Sequence, residues 1–325
     1  MPIPLYLDTD PGIDDALALA YLLNSPEIDL VGIGTVSGNI DSVTGARNAL
    51  DLLHLAGHPE IPVAVGAYDP EVGEYRGGAP HVHGRNGIGN VTLEPSSLDP
   101  IPESAAEMII ALSHRYAGTL RILAIGPLTN LAVALDLDPT LPGRIDDVIV
   151  MGGAVLRAGN VTAVSEANIH NDPEAAAAVF AASWHITLAP LDLTMQHTLG
   201  DAERAELGAA SSAMLRSVAD MLDYYLDFYA GVLGERRCAL HDPLAAALAC
   251  GTIEVTSGPT VPVTVDVSDG LDRGRTICEL TEGPDGYADV PGGNTRVVLD
   301  IADPFAPHLL DRLIANTDFE VNLQK

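Results

Sequence analysis

Short apolar runs alternate with longer segments of helical periodicity through the first two thirds of the chain. The runs over 5–7, 30–36, 63–65, 120–125, 148–151 and 186–190 have the length of strands. Stretches 31–36 and 145–151 are apolar on both faces, as strands covered by helices must be. Between the runs, periodicity predicts a helix beginning at 13 with its buried stretch over 16–23, then helices over 42–56, 105–116, 131–137 and 173–182. Alternation of this kind means parallel strands joined by crossover helices. The expected fold is therefore α/β, a mostly parallel central sheet with helices on both faces. A polar or glycine-rich loop follows each of several strands: Ser37-Gly38-Asn39, Gly126 to Asn130, Gly152-Gly153 and Asp192-Leu193-Thr194. Such loops converge on one edge of a parallel sheet.

The rhythm breaks over 68–102, which is rich in glycine and proline, carries His81, His83 and Asn86, and has no clear period. A long irregular segment inside a compact domain reads as an active-site loop. Further on, a long helix is expected over 211–233 and a second over 244–250, followed by strands over 261–267, 275–280 and 296–301. No repeat, linker or low-complexity block interrupts the chain, so residues 1–325 are expected to form one catalytic domain.

Composition narrows the class of partner. Forty-five acidic residues against sixteen basic ones give a formal charge of −29, and the single lysine is Lys325. Such a surface repels phosphate backbones and anionic lipid, which argues against nucleic-acid or membrane partners. No apolar run reaches membrane length, and the apolar start before Asp8 is too short for a signal peptide. Cys238, Cys250 and Cys278 are odd in number and lack CxxC spacing, which suits a reducing cytoplasm. A soluble cytoplasmic protein is expected.

The chemistry is concentrated where the first strand meets the first helix. Asp8, Asp10, Asp14 and Asp15 fall within eight residues, between two apolar runs and around the Pro11-Gly12 turn. One or two such residues would be an acidic helix cap. Four repel one another unless a cation neutralises them, and crowded carboxylate oxygens suit Ca²⁺ or Mg²⁺ rather than Zn²⁺. An EF-hand is excluded, because glycine falls at the wrong offset and Leu19 stands where the terminal glutamate belongs. A phosphotransferase using the first aspartate of a DxD loop as nucleophile is the enzymatic rival. It would need an arginine nearby, since Lys325 is terminal.

Further landmarks follow in order: Gly38-Asn39, His83-Gly84, Gly126-Pro127-Leu128-Thr129-Asn130, Met151-Gly152-Gly153, Asn160, Glu166-Ala167-Asn168, Asp172-Pro173-Glu174-Ala175 and His241-Asp242. Together with Asp8-Thr9-Asp10-Pro11-Gly12-Ile13-Asp14-Asp15, this series resembles the nucleoside hydrolases of the inosine-uridine-preferring type. The resemblance spans nearly the whole chain and implies a Rossmann-like core. It also implies hydrolysis of the N-glycosidic bond of a ribonucleoside around bound Ca²⁺, by a homodimer or homotetramer. Carried over, Asp10, Asp15 and Asp242 would be side-chain metal ligands, joined by the backbone carbonyl of Ile125, where the family commonly has threonine. Asp14, Asn39, His83, Met151, Asn160, Glu166 and Asn168 would face the substrate, with Asp10 as general base and His241 as general acid.

Physical chemistry agrees with that distribution. Buried ribose hydroxyls each need a partner, which Asn, Asp and Glu supply. An oxocarbenium-like state is stabilised by carboxylates, and the leaving base needs a proton, for which a histidine is suited. Tyr225 and Tyr229 follow a core spacing with Leu215, Val218 and Leu222, while the resemblance brings their helix near the base. The competing class is a Ca²⁺-dependent ribonucleoside-binding relative without activity, against which Asp10 and His241 both stand in place.

Overall fold

A computed structural model of the chain describes residues 1–283 and 286–323; Lys325 lies outside the described residues. Eight strands form the main sheet: β1 (Ile3–Thr9), β2 (Ile28–Thr35), β3 (Val63–Val65), β4 (Leu120–Ala124), β5 (Ile145–Met151), β6 (Ile186–Ala189), β7 (Thr260–Val261) and β8 (Thr295–Val297). Their spatial order is β7-β8-β6-β5-β4-β1-β2-β3. Every neighbouring pair is parallel except β7 with β8.

Both faces of the sheet are covered, and successive side chains show it. Leu5 and Leu7 belong to one apolar core with Ile33, Leu123 and Ile149. Tyr6 points into the other core with Ile122, Ala124, Val148 and Val150. That two-residue alternation between two dry layers explains why the central strands read as continuous apolar runs.

The chain leaves β1 toward β2 on one side and later returns to β4 on the other. Loops after β1 and β4 therefore diverge, which opens a crevice at the carboxyl ends of the strands. In register, Asp8 pairs with Gly34 of β2 and with Ala124 of β4. Gly34 is required there, because a Cβ would lie 1.8 Å from the Tyr6 hydroxyl.

The helices expected over 42–56 and 105–116 are Ser42–Ala56 and Ala105–Arg115, each started by a side-chain cap, Asp41 and Ser104. Other elements differ from the sequence reading in ways that have causes. The strand expected over 261–267 is interrupted after Val261, where Pro262 cannot donate to a ladder, and resumes at Val263–Val265 in a separate hairpin. The strand expected over 296–301 likewise divides into β8 and Asp300–Ile301, which pairs with Val255–Ser257 instead. The helix expected to begin at 244 starts at His241, so Pro243 is its third residue, within the first turn where its missing N–H leaves no bond unmade. Residues 68–102 are irregular apart from the turn Pro80–His83.

Ile122 is fully buried in the centre of the sheet, whereas Leu137 is 61% exposed at a helix end. Ile122→Ala is expected to lower stability by about 2–5 kcal/mol and Leu137→Ala by under about 0.5 kcal/mol. Equal shifts of the urea midpoint in the two variants would contradict the core described here.

Candidate active site

The aspartate cluster is shaped by the turn between β1 and the helix Ile13–Leu23. Gly12 caps that helix, and its N–H donates to Asp15 Oδ2 at 2.8 Å. Thr9 Oγ1 donates to Asp15 Oδ1 at 2.5 Å. Asp10 Oδ2 accepts the Asn39 N–H at 2.7 Å from the loop after β2. Glycines make this proximity possible: a Cβ on Gly38 would lie 2.0 Å from Asp10 Oδ2, and one on Gly126 would lie 2.8 Å from Asp10 Oδ1. Asp242 arrives from the second position of the helix His241–Cys250, which packs against Ile13–Leu23. Asp14, Asp15 and Asp242 each offer an oxygen within 4.8 Å of the others.

These carboxylates are poorly compensated. Asp10 Oδ1 and Asp14 Oδ1 are buried without a hydrogen-bond partner. Burial, followed by repulsion from Asp15, pushes Asp10 upward and Asp14 to about 7. Burial raises Asp15, and burial with the charges of Asp14, Asp15 and Asp10 raises Asp242. His83 Nδ1 stands 3.9 Å from Asp14 Oδ1, but the Ile13 N–H donates to that nitrogen at 3.1 Å. Burial lowers His83 to about 3, so it contributes no positive charge. An all-oxygen cluster with unpaired buried acceptors fits a hard cation. Asp10, Asp15 and Asp242 are the side-chain ligands expected from sequence; the group within 4.8 Å joins Asp14 to Asp15 and Asp242, and Asp10 keeps a buried oxygen without a partner.

Above the cluster lies a cavity of about 550 Å³. Asp14, Asn39, His83, Ile125, Met151 and Asn160 reach its wall, as do Glu166, Asn168, Tyr225, Tyr229, His241 and Asp242. Asp10 and Asp15 are buried behind it. The Asn168 amide donates to Ile125 O at 2.9 Å and Met151 O at 3.0 Å, which ties the ends of β4 and β5 together. Glu166 accepts from the backbone of Gly153, Asn168 and Ile169 at 2.9, 3.0 and 3.2 Å and caps the helix Ala167–Asn171. Asn160 Oδ1 accepts the Ala167 N–H at 3.0 Å.

Tyr225 and Tyr229 are only 2% and 5% exposed, as their core spacing implied, yet both are bonded to site residues. Tyr225 donates to Asp14 Oδ2 at 3.0 Å. Tyr229 O lies 2.6 Å from His241 Nε2, and Thr194 Oγ1 lies 2.7 Å from His241 Nδ1. Burial, and after it the Arg157 charge, lowers His241 to about 4.

Thr194, His81, Arg157, Met195 and Phe228 were not singled out as site residues from sequence. Thr194 lies in a strand-end loop and His81 in the segment read as an active-site loop, whereas nothing in the local pattern marks Arg157, Met195 or Phe228. Asp8, the nucleophile of the phosphotransferase alternative, is bonded by Tyr6 and Asn130 at 2.9 Å each, with no arginine beside it among the described residues. No helix among the described residues is long and apolar enough to cross a membrane.

Comparison with known proteins agrees with the geometry. Residues 5–305 match the family described as inosine-uridine preferring nucleoside hydrolase. Uridine nucleosidase 1 of Arabidopsis thaliana is 39% identical over 241 residues, 74% of this chain and 72% of that protein. The inosine-uridine preferring nucleoside hydrolase of Crithidia fasciculata is 34% identical over 86% of this chain and 89% of its own length. The solved structure of a purine-preferring ribonucleoside hydrolase from Gardnerella vaginalis superposes with a TM-score of 0.89 at 34% identity, covering 97% of this chain and 98% of the other. With the aspartate cluster, the strand order and the cavity in common view, the chain belongs to the inosine-uridine preferring nucleoside hydrolases, N-glycosidases that cleave ribonucleosides.

Proposed function

We propose that this enzyme hydrolyses purine ribonucleosides, pyrimidine ribonucleosides or both to ribose and free base, with Ca²⁺ as its metal, in nucleoside salvage or catabolism. The observation that carries the reading is the group of Asp14, Asp15 and Asp242 oxygens, within 4.8 Å of one another, bordering a cavity of nucleoside size. In this reading Asp10, Asp15 and Asp242 hold the ion with the Ile125 carbonyl, and Asp14 stands beside it. Bound there, Ca²⁺ neutralises the carboxylates and lowers the pKa of a water.

The residues of the chain then divide the work. Asp10 takes a proton from the attacking water through Oδ1, the oxygen that Asn39 leaves free. Asp14, Asn39, Asn160, Glu166 and Asn168 face the ribose hydroxyls, which would otherwise be buried unpaired. As the bond to the base lengthens, positive charge grows on the sugar beside the carboxylates that stabilise it. The departing electron pair goes to the base and must be followed by a proton. Tyr229 and His241 share a hydrogen bond at the cavity wall, and this pair, backed by Thr194, passes the proton. His83, Met151, Tyr225 and Tyr229 complete the substrate's surroundings. We further propose one domain over 1–325 from the lack of a linker or repeat, a cytoplasmic location from the cysteine pattern, and a homodimer or homotetramer from the family resemblance.

Three measurements test this. Exhaustive chelation is expected to abolish activity and Ca²⁺ to restore it; full turnover by a preparation shown metal-free by elemental analysis would end the metal reading. Asp10→Asn keeps the shape and an oxygen but removes the proton acceptor, so nucleoside binding is expected to survive while kcat falls about a hundredfold or more. Unchanged kcat would move the base to another residue, Asp14 first.

The third compares leaving groups. His241→Ala is expected to slow inosine or uridine by roughly 10²- to 10⁴-fold. A p-nitrophenyl riboside, whose phenolate leaves without a proton, should be cleaved at nearly the wild-type rate. Equal slowing of both substrates would assign His241 to the support of Asp242. No slowing of either would place the acid at His83 or in the Tyr225–Tyr229 pair.

A further inference from the structure

The cavity contains a cationic side chain that this account of the reaction leaves unused. Among the described residues lining it, Arg157 is the only arginine or lysine. It stands in the loop that follows β5. That loop is pinned at its start, where the Val155 and Leu156 N–H groups both donate to the Asp192 carboxylate at 2.8 Å. Arg157 Nη1 donates to Leu191 O at 3.2 Å. A guanidinium carries five N–H donors and no acceptor, so most of its donors remain for a ligand.

Its position identifies the half of the substrate it meets. Leu191 opens the helical turn Leu191–Thr194, and Thr194 is the residue bonded to His241 Nδ1. Arg157, exposed at the rim of the cavity, is thus bonded to the turn whose Thr194 holds His241, beside the group proposed to give the leaving base its proton. Leu191, Met195, Phe228 and Val232 also line the cavity and give it apolar wall suited to a flat ring. The carboxylates of Asp14, Asp242 and Glu166 belong to the ribose half and make a second anion such as a 5′-phosphate unwelcome.

We propose that Arg157 reads the base: its guanidinium donates to an exocyclic oxygen of the leaving nucleobase and selects oxo-bases over amino-bases. The inference rests on the ribonucleoside reading above. Uracil, hypoxanthine and guanine present an acceptor at that corner, whereas cytosine and adenine present an amino group. Two donors facing each other leave both unpaired and repel. The same contact acts during the reaction. When the C–N bond breaks, its electron pair enters the ring and is shared with the exocyclic oxygen, beside a fixed positive charge. The proton still arrives at the ring nitrogen, water supplies the new oxygen on the sugar, and Arg157 keeps its own proton throughout.

The test measures kcat/KM for uridine, cytidine, inosine, adenosine and uridine 5′-monophosphate in the wild type, Arg157→Met and Arg157→Lys. Wild type is expected to favour uridine over cytidine and inosine over adenosine by at least about tenfold. In Arg157→Met the two oxo-substrates should fall about 10- to 100-fold, as for loss of a hydrogen bond from a charged group, while cytidine and adenosine hold or gain rate as the donor–donor clash is removed. Those two substrates serve as the internal control for folding. Arg157→Lys, which keeps a charge and donors, should retain part of the preference. An equal fall on all four nucleosides would reduce Arg157 to a support of its loop, and an undiminished preference in Arg157→Met would overturn the assignment. A wild-type preference for the monophosphate that vanishes in Arg157→Met would assign the residue to phosphate instead. Failure of the wild type to turn over any of the five would overturn the ribonucleoside reading itself, a result distinct from the others.

Discussion

Carboxylates gathered out of reach of water are the constraint around which this molecule is arranged. A buried carboxyl is tolerated at neutral pH only as the neutral acid or beside a compensating charge. Hydrogen bonds from the chain supply part of the compensation: Thr9, Gly12 and Asn39 donate to Asp15 and Asp10, and Tyr225 donates to Asp14. Three carboxylate oxygens, Asp8 Oδ2, Asp10 Oδ1 and Asp14 Oδ1, stay unpaired among the described residues. The direction of the resulting strain follows from linkage. Asp14 is raised from its ordinary value to about 7, so between about pH 4 and 7 the folded chain holds protons that an unfolded chain has lost. Without a cation, the contribution of this group to stability therefore declines as pH rises through that window. A cation bound there would remove the reason for the shift and so couple its own binding to folding.

The fold supplies what can be done with backbone alone. Asp14 and Asp15 occupy the first turn of one helix and Asp242 the first turn of another, so two helix N-termini direct partial positive charge at the cluster. The strand order reverses beside β1, and the loops that leave β1, β2 and β4 border the crevice that opens there. At Gly38 and Gly126 the backbone comes so close to the Asp10 carboxylate that no side chain fits. The position of the acidic group is thus set by topology, and its compactness by the absence of Cβ atoms.

Much of this was legible in the linear pattern. Strands buried on both faces lack any polar alternation, and the central ones were read from that. The four aspartates stood out because ordinary capping explains one or two of them and not four. What escaped the pattern depended on tertiary neighbours. Pro262 ended a strand that its apolar flanks suggested would continue, and the strand expected over 296–301 divided because its second half found a different partner. Arg157 and Phe228 reach the cavity through the path of a loop and the rotation of a helix, neither of which is encoded in short-range spacing. Thr194 has meaning only through His241, forty-seven positions away in the chain.

The two tyrosines show why a core pattern and a site pattern need not exclude each other. Leu215, Val218 and Leu222 turn one face of the helix Ala213–Leu233 into the apolar core, and Tyr225 and Tyr229 continue that face where the core gives way to the cavity. Being one turn apart, they lie on the same stripe. Their rings meet edge to face at 4.9 Å, but their hydroxyls serve opposite ends of the site. Tyr225 occupies Asp14 Oδ2 and so leaves Oδ1 as that carboxylate's free oxygen, while Tyr229 occupies His241 Nε2. A single helix, capped by Ser212 and closed at Gly234, therefore holds the Asp14 end and the His241 end of the cavity relative to each other. Any rotation of that helix would disturb both ends together, so the spacing between the Asp14 carboxylate and the His241 imidazole is held by core packing.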